Sequence, residues 1–307
     1  MKKDNRLILS LFAAYIIVQL GGCSFSDPPL FESVSPEKSG VLYLNRVVET
    51  DEQNMLTFEY IYNGAGVAAA DFNNDGVTDL YFVGNETDNA LYLNRGDFQF
   101  DDVSDESGTK GNSEKWYSGV SVVDINGDGR MDIYLSVTGS ETAERRRNEL
   151  FINMGMSDEG IPLFEESAKI YGLDDSSYST HAAFFDYNND GVLDIYLLVA
   201  NSSSGVSYTN AFQQMGQQNT GNTDKLFEGT WDDQLGHPVY RDVSEVAGID
   251  KDGYGLGVNI LDINMDGYKD IYVTNDYVSE DLFWINNRDG TFTNRLADML
   301  KHTSYSA

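Results

Sequence analysis

Cysteine is nearly absent: Cys23 is the only one in 307 residues, so no intrachain disulfide can form. Basic residues are scarce. Twenty Lys and Arg face 50 Asp and Glu, for a formal charge of −30, and such a chain cannot hold a nucleic-acid backbone through a general positive field. Histidine occurs three times, at His181, His237 and His302, with no zinc-type spacing, and no nucleophile motif or phosphate loop accompanies it. The chain also lacks a long apolar run: Leu7 to Val18 is twelve residues, short of the roughly 20 that a comfortable membrane span needs. It does hold 41% hydrophobic residues, with 19 Tyr and 16 Phe, which argues for a packed core rather than an acidic disordered chain. The carboxylates therefore need a reason, either solubility or the binding of cations.

The first residues form a targeting pattern. Lys2, Lys3 and Arg6 precede the apolar run, and Leu20-Gly21-Gly22-Cys23 follows it. This resembles a bacterial lipobox, in which cleavage leaves an acylated cysteine; lipidation would also remove a lone exposed thiol from an exported protein. An ordinary signal peptide with a chance cysteine and an uncleaved anchor helix are the alternatives. The division expected is a lipoprotein signal peptide over 1–22, a tether over 23–39 containing Pro28, Pro29 and Pro36, and a repeat domain over 40–307. Ser24, where an aspartate would favour the inner membrane, points by resemblance to an exported lipoprotein on the periplasmic or surface face of the outer membrane.

One pattern, Asp-x-Asn-x-Asp-Gly-x-x-Asp, occurs four times, starting at Asp71, Asp124, Asp186 and Asp262, with intervals of 53, 62 and 76 residues. Calcium takes six to eight oxygens at roughly 2.3–2.6 Å, and alternate residues of a tight loop can turn side-chain oxygens to one side. Glycine at position six permits the reversal, position seven offers a backbone carbonyl and position nine a further carboxylate. Magnesium, with its smaller octahedron, suits the pattern less well. An EF-hand is excluded, because position twelve is Phe82, Leu135, Leu197 or Val273 where a bidentate glutamate is required.

Strand-like segments surround each loop. Gly66–Ala70, Gly119–Val123, Ala182–Phe185 and Gly257–Leu261 precede the loops, and Leu80–Val83, Ile133–Ser136, Ile195–Leu198 and Ile271–Thr274 follow them. Two further short strands follow each hairpin, around Leu91–Asn94 and Phe100, Leu150–Asn153 and Phe164, Leu226–Phe227 and Tyr240, and Leu282–Asn286 and Phe292. The predicted fold is all-β, with blades of four antiparallel strands whose first hairpin carries the calcium loop.

These motifs resemble the FG-GAP/VCBS repeat family, known from integrin α-subunit propellers, and in particular bacterial repeat lipoproteins related to cartilage acidic protein. The resemblance runs from about Phe31 to the end and includes Tyr62-Asn63-Gly64-Ala65-Gly66. It implies about four Ca2+ ions, one per loop. Their ligands would be Asp71, Asn73, Asp75, Val77 and Asp79; Asp124, Asn126, Asp128, Arg130 and Asp132; Asp186, Asn188, Asp190, Val192 and Asp194; and Asp262, Asn264, Asp266, Tyr268 and Asp270. It also implies closed rings of seven blades, of which this chain holds about four. Tyr305-Ser306-Ala307 matches Tyr117-Ser118-Gly119, so a fifth loop would begin just past Ala307 and a C-terminally truncated sequence is expected. A four-bladed ring is the alternative.

Three further features are weighed. His181 stands where the other repeats have glycine, five residues before the loop, and is expected to line a central channel or pack. Asn201–Pro238 reads as a polar insertion that lengthens the third interval. Glu144-Arg145-Arg146-Arg147, the one basic cluster, reads as a salt-bridged turn. The functional expectation is a calcium-stabilised, lipid-anchored, non-catalytic envelope module with a protein or glycan ligand, held at the membrane through its lipid alone. A propeller-type polysaccharide lyase or hydrolase, or an accessory subunit of an outer-membrane uptake complex, is the alternative.

Overall fold

The structure, a computed structural model, describes residues 30–58, 60–140, 142–200, 221–276 and 279–299. Cys23, the expected signal segment over 1–22, His302 and the Tyr305–Ala307 match lie outside them. The chain divides into two compact units, 1–35 and Pro36–Ala307.

Among the described residues the second unit is all-β, built of four sheets of four strands each. Blade 1 is β1 (Gly66–Ala70), β2 (Asp79–Val83), β3 (Ala90–Asn94) and β4 (Phe100–Asp102). Blade 2 is β5 (Trp116–Val123), β6 (Asp132–Thr138), β7 (Glu149–Met156) and β8 (Pro162–Glu166). Blade 3 is β9 (Ser179–Phe185), β10 (Asp194–Val199), β11 (Lys225–Asp232) and β12 (His237–Asp242). Blade 4 is β13 (Gly255–Leu261), β14 (Asp270–Asn275), β15 (Leu282–Asn286) and β16 (Phe292–Asn294). Every sheet is an antiparallel meander in chain order, as propeller blades are.

Register follows from the loops. The ninth residue of each motif opens the second strand and pairs with the last residue of the first: Asp79 with Ala70, Asp132 with Val123, Asp194 with Phe185 and Asp270 with Leu261. The first strands pack against one another from blade to blade, β1 on β5, β5 on β9 and β9 on β13. Glycine lets them approach: a Cβ on Gly66 would stand 2.9 Å from Val120 Cγ1, and one on Gly119 would stand 2.5 Å from the Thr180 carbonyl oxygen.

The core lies between blades. Phe72, Tyr81 and Leu91 of blade 1 meet Ile133, Leu135 and Phe151 of blade 2. Tyr134 and Leu150 of blade 2 meet Ile195, Leu197 and Phe227 of blade 3, and Tyr196 and Leu226 of blade 3 meet Ile271, Leu282 and Trp284 of blade 4. Strands β6 and β10 have neighbours on both faces and are buried at every residue, which explains their unbroken apolar runs.

A second repeated device sits at the other end of the first hairpin. An Asx residue ahead of the third strand accepts the amide at the end of the second: Asn89 from Gly84, Asn148 from Val137, Asp224 from Val199 and Asp281 from Asn275. In blades 2 to 4 the same Asx also bonds a strand tyrosine, as Asn148 with Tyr134, Asp224 with Tyr196 and Asp281 with Tyr272. Each blade then ends in a four-residue helical turn, at Ser104–Ser107, Ala168–Tyr171, Ser244–Ala247 and Leu296–Met299, which the strand pattern alone did not predict.

The expected insertion is shorter than Asn201–Pro238. Leu226 and Phe227 pair with Tyr196 and Ile195, and Pro238 lies in β12, so blade 3 reclaims the second half of that segment. The expected strand positions at Leu226–Phe227 and Tyr240 hold, and the polar Glu228, Thr230 and Asp232 with the exposed Trp231 disguised how far β11 runs past Phe227. Residues 201–220 lie outside the described residues.

Candidate metal loops and axial cavity

All four motif loops close in the same way. In loop 1, Asp71 Oδ1 accepts the amide of Asp75 at 3.0 Å and Oδ2 that of Gly76 at 2.7 Å. Asn73 Oδ1 accepts from Asp75, and Asp75 Oδ1 from Val77. Loops 2, 3 and 4 repeat these bonds through Asp124, Asn126 and Asp128, through Asp186, Asn188 and Asp190, and through Asp262, Asn264 and Asp266. The glycine at position six takes positive φ in every loop, between 83° and 91°. Position four is also left-handed, at Asn74, Gly127, Asn189 and Met265.

Position nine is fully buried in each loop, at Asp79, Asp132, Asp194 and Asp270. One of its oxygens accepts the amide of position two, and the other an amide from the third strand: Asn94, Asn153, Gly229 or Asn286. Burial pushes the Asp132 and Asp194 carboxyls up to about 7, opposed by those amides and reinforced by the other carboxylates of the loop. Asp79 is raised for the same reasons.

Among the described residues, no three acidic, His or Cys side chains converge as an assembled ligand cage; the loop oxygens are turned toward loop amides instead. The donor set still fits a hard cation. Each loop offers three carboxylates and one amide oxygen, and carboxylate oxygens holding one amide retain lone pairs. A divalent ion would favour the ionised form of the very carboxyls that burial disfavours. In such a site, positions one, three, five and nine would supply side-chain oxygens. Val77, Arg130, Val192 and Tyr268 would supply only carbonyls.

Two arginines distinguish the loops. Arg130 of loop 2 turns its guanidinium back onto Asp128 at 2.5 Å, and Arg288, from the β15–β16 turn, meets Asp266 of loop 4 at 2.9 Å. Arg288 lies 22 residues past Asp266, outside the motif, so pattern reading had no means of finding it.

At the other end of the inner strands, where β1, β5, β9 and β13 begin, lies a cavity of about 520 Å³, within the range of small-molecule sites. Phe58 and Tyr60 of the lead-in segment border it, and the Tyr60 hydroxyl donates to Asp276 Oδ2 at 2.8 Å, tying the lead-in to blade 4. His181 lines it, as expected of the histidine that replaces glycine. His237 instead stacks on Tyr171 at 4.1 Å. The basic cluster is a salt-bridged turn: Arg145 meets Glu114 at 3.2 Å, Arg147 meets Glu144 and Asp174 at 2.7 Å, and Arg146 lies 4.0 Å over Tyr178.

Residues 71–135 match the family described as FG-GAP-like repeat. A T-cell immunomodulatory protein homolog from Plasmodium yoelii yoelii is 24% identical over 180 residues, covering 52% of this chain and 24% of that protein. The chain thus spans about a quarter of that relative's length. Among solved structures, an Agrocybe aegerita lectin studied for recognition of non-reducing terminal N-acetylglucosamine is 17% identical with a TM-score of 0.36, over 73% of this chain and 49% of its own. A Bacteroides uniformis protein assigned as a 6-phosphogluconolactonase is 15% identical with a TM-score of 0.38, over 74% of this chain and 55% of its own. Similarity at that level adds nothing to the sheets described above.

Proposed function

We propose that this chain, in which residues 71–135 are an FG-GAP-like repeat, acts as a calcium-stabilised, lipid-anchored binding module of the cell envelope, taking a protein or glycan ligand and performing no catalysis. The observation that carries the reading is the fourfold loop, in which a fully buried aspartate sits beside further carboxylates of its own turn. A cation binding only the folded loops would stabilise the fold in proportion to its concentration, and would turn a repulsive acidic cluster into a clamp on the first hairpin of each blade. The anchor rests on the Leu20-Gly21-Gly22-Cys23 pattern, whose lipid would hold the module at the outer membrane.

Thermal unfolding of the chain with calcium and with excess chelator tests the metal. The melting temperature should fall on chelation; equal values would defeat the calcium reading. Fractionating cells that express the full chain and its Cys23→Ser variant tests the anchor, since the variant should leave the membrane fraction. Binding screens against immobilised glycans and envelope proteins test the module itself.

A further inference from the structure

We propose that the axial cavity is a ligand site for a neutral sugar ring, with Thr138 and His181 hydrogen-bonding its hydroxyls and the aromatic side chains of Tyr60 and Trp116 meeting its apolar face. The inference rests on the binding-module reading and names its site and ligand class.

Four inner strands converge at the cavity, so its wall draws on all four blades. None of the lining residues is Lys, Arg, Asp or Glu. In a chain of charge −30, that wall offers an anion no partner and a cation no carboxylate, so the ligand it suits is uncharged. The wall is nonetheless polar. The Ser118 hydroxyl is spent on the Ser136 and Ser179 carbonyls and the Thr180 hydroxyl on the Gly255 carbonyl, which ties neighbouring inner strands together.

Besides the exposed Asn63 side chain, two polar groups remain, both set into the wall. Thr138 is 5% exposed and its Oγ1 has no partner. His181 has no hydrogen-bond partner among the described residues, and burial lowers its pKa, so near pH 7 it offers one N–H donor and one acceptor nitrogen. A buried hydroxyl without a partner is costly, and a ligand hydroxyl would satisfy it. A purely apolar ligand would leave both groups unpaired. The apolar share of the wall combines aliphatic side chains, Val67, Val120 and Leu256 among them, with aromatic rings: Phe58 and Trp116 meet edge to face at 5.2 Å, and the Tyr60 hydroxyl is already engaged by Asp276. Apolar ring surface beside unsatisfied donors and acceptors matches a pyranose, with its C–H face and its rim of hydroxyls. The close approach of His181 depends on Gly119, where a Cβ would stand 3.1 Å from His181 Nδ1.

The test is calorimetric titration of the full calcium-loaded chain with the methyl glycosides of glucose, galactose, mannose and N-acetylglucosamine. Alongside it run His181→Gly, which restores the residue of the other blades, Thr138→Val and Thr138→Ser. At least one glycoside should bind at about millimolar affinity or tighter, and His181→Gly and Thr138→Val should each weaken it about tenfold. Thr138→Ser should retain binding; Thr138→Val, which removes an unpartnered buried hydroxyl, should melt no lower than wild type, and His181→Gly, which puts glycine inside β9, somewhat lower, so each variant is compared by its affinity once folding is verified. Binding that is indifferent to His181→Gly and Thr138→Val overturns the site while the module reading stands. If no glycoside binds, the sugar proposal falls, and only the screen against envelope proteins bears on the module.

Discussion

Asp224 offers a test of the energetics that is independent of any metal. It is buried ahead of β11, where Oδ1 accepts the Val199 amide at 2.8 Å and Oδ2 the Tyr196 hydroxyl at 2.9 Å; Tyr196 in turn accepts from Trp284 Nε1. Burial drives its carboxyl from 3.8 to about 7, against the pull of those two donors and with a small push from Asp252. The folded-state pKa lies above the unfolded one, so folding takes up a proton between the two values. The stability this group confers is therefore present below about pH 4, falls as pH rises toward 7, and is gone above it. A shift of about three units at 1.36 kcal/mol each makes the difference on the order of 4 kcal/mol.

Blade 2 shows how to remove it. There Asn148 occupies the same place, with Oδ1 on the Val137 amide and Nδ2 toward the Tyr134 hydroxyl. Asp224→Asn should copy that arrangement while depriving the Tyr196 hydroxyl of its acceptor, at about 1 kcal/mol. The variant should thus be more stable than wild type by about 3 kcal/mol at pH 8 and less stable by about 1 kcal/mol at pH 4. Urea unfolding of both chains across that range, in the same calcium concentration, reads the difference directly. Parallel stability curves would refute the claim that this carboxyl is buried at a cost.

Other outcomes follow from single contacts. Arg288→Gln frees Asp266 and should tighten calcium at loop 4 about two- to fivefold at low salt, measured by titration against loops 1 and 3, which have no such arginine. Met265 is left-handed at φ 58° and exposed, where its counterparts are Asn or Gly. Met265→Gly should therefore raise stability by about 1 kcal/mol, seen as a shift in urea midpoint. Asn153 is fully buried and donates Nδ2 to the Phe72 carbonyl of the neighbouring blade, so Asn153→Ala should cost about 2 kcal/mol in the same assay.

The strands were legible because each was announced twice, by its own apolar residues and by its distance from a loop aspartate. Asp79, Asp132, Asp194 and Asp270 could be placed at strand starts from the motif alone, and the structure puts them there. Contacts whose partners are remote in sequence escaped. The Asx–tyrosine bonds repeat in three blades, yet Asn148 and Asp224 share no residue identity, and 28 residues separate Tyr196 from Asp224. The helical turns escaped because four residues are too few for any periodicity. The strands at Leu226–Phe227 and Tyr240 were legible, but their extension to Asp232 and back to His237 escaped, because Gly229 stands where Asn94, Asn153 and Asn286 mark the third strand elsewhere.

That glycine also explains how the blades are joined. Asn153 and Asn286 each reach back to the preceding loop, to the Phe72 and Tyr187 carbonyls, and Asn74 and Asn189 reach forward to the carbonyls of Gly129 and Gly267. Loops 1 and 2 are thereby tied, and so are loops 3 and 4. Between blades 2 and 3 both devices are missing, because Gly127 and Gly229 occupy those positions and have no side chains. There the tie moves to the inner strands, where Ser118 and Ser121 donate at 2.6 Å to the Ser179 and Ala182 carbonyls of β9. Every seam thus carries polar bonds as well as an apolar core, but the middle seam carries them at the axis, beside the cavity. A sugar bound against His181 would rest on inner strands fastened to one another at that end, through Ser118 to the Ser179 carbonyl and Thr180 to the Gly255 carbonyl, and loading the loops should stiffen the outer pairs more than the middle seam.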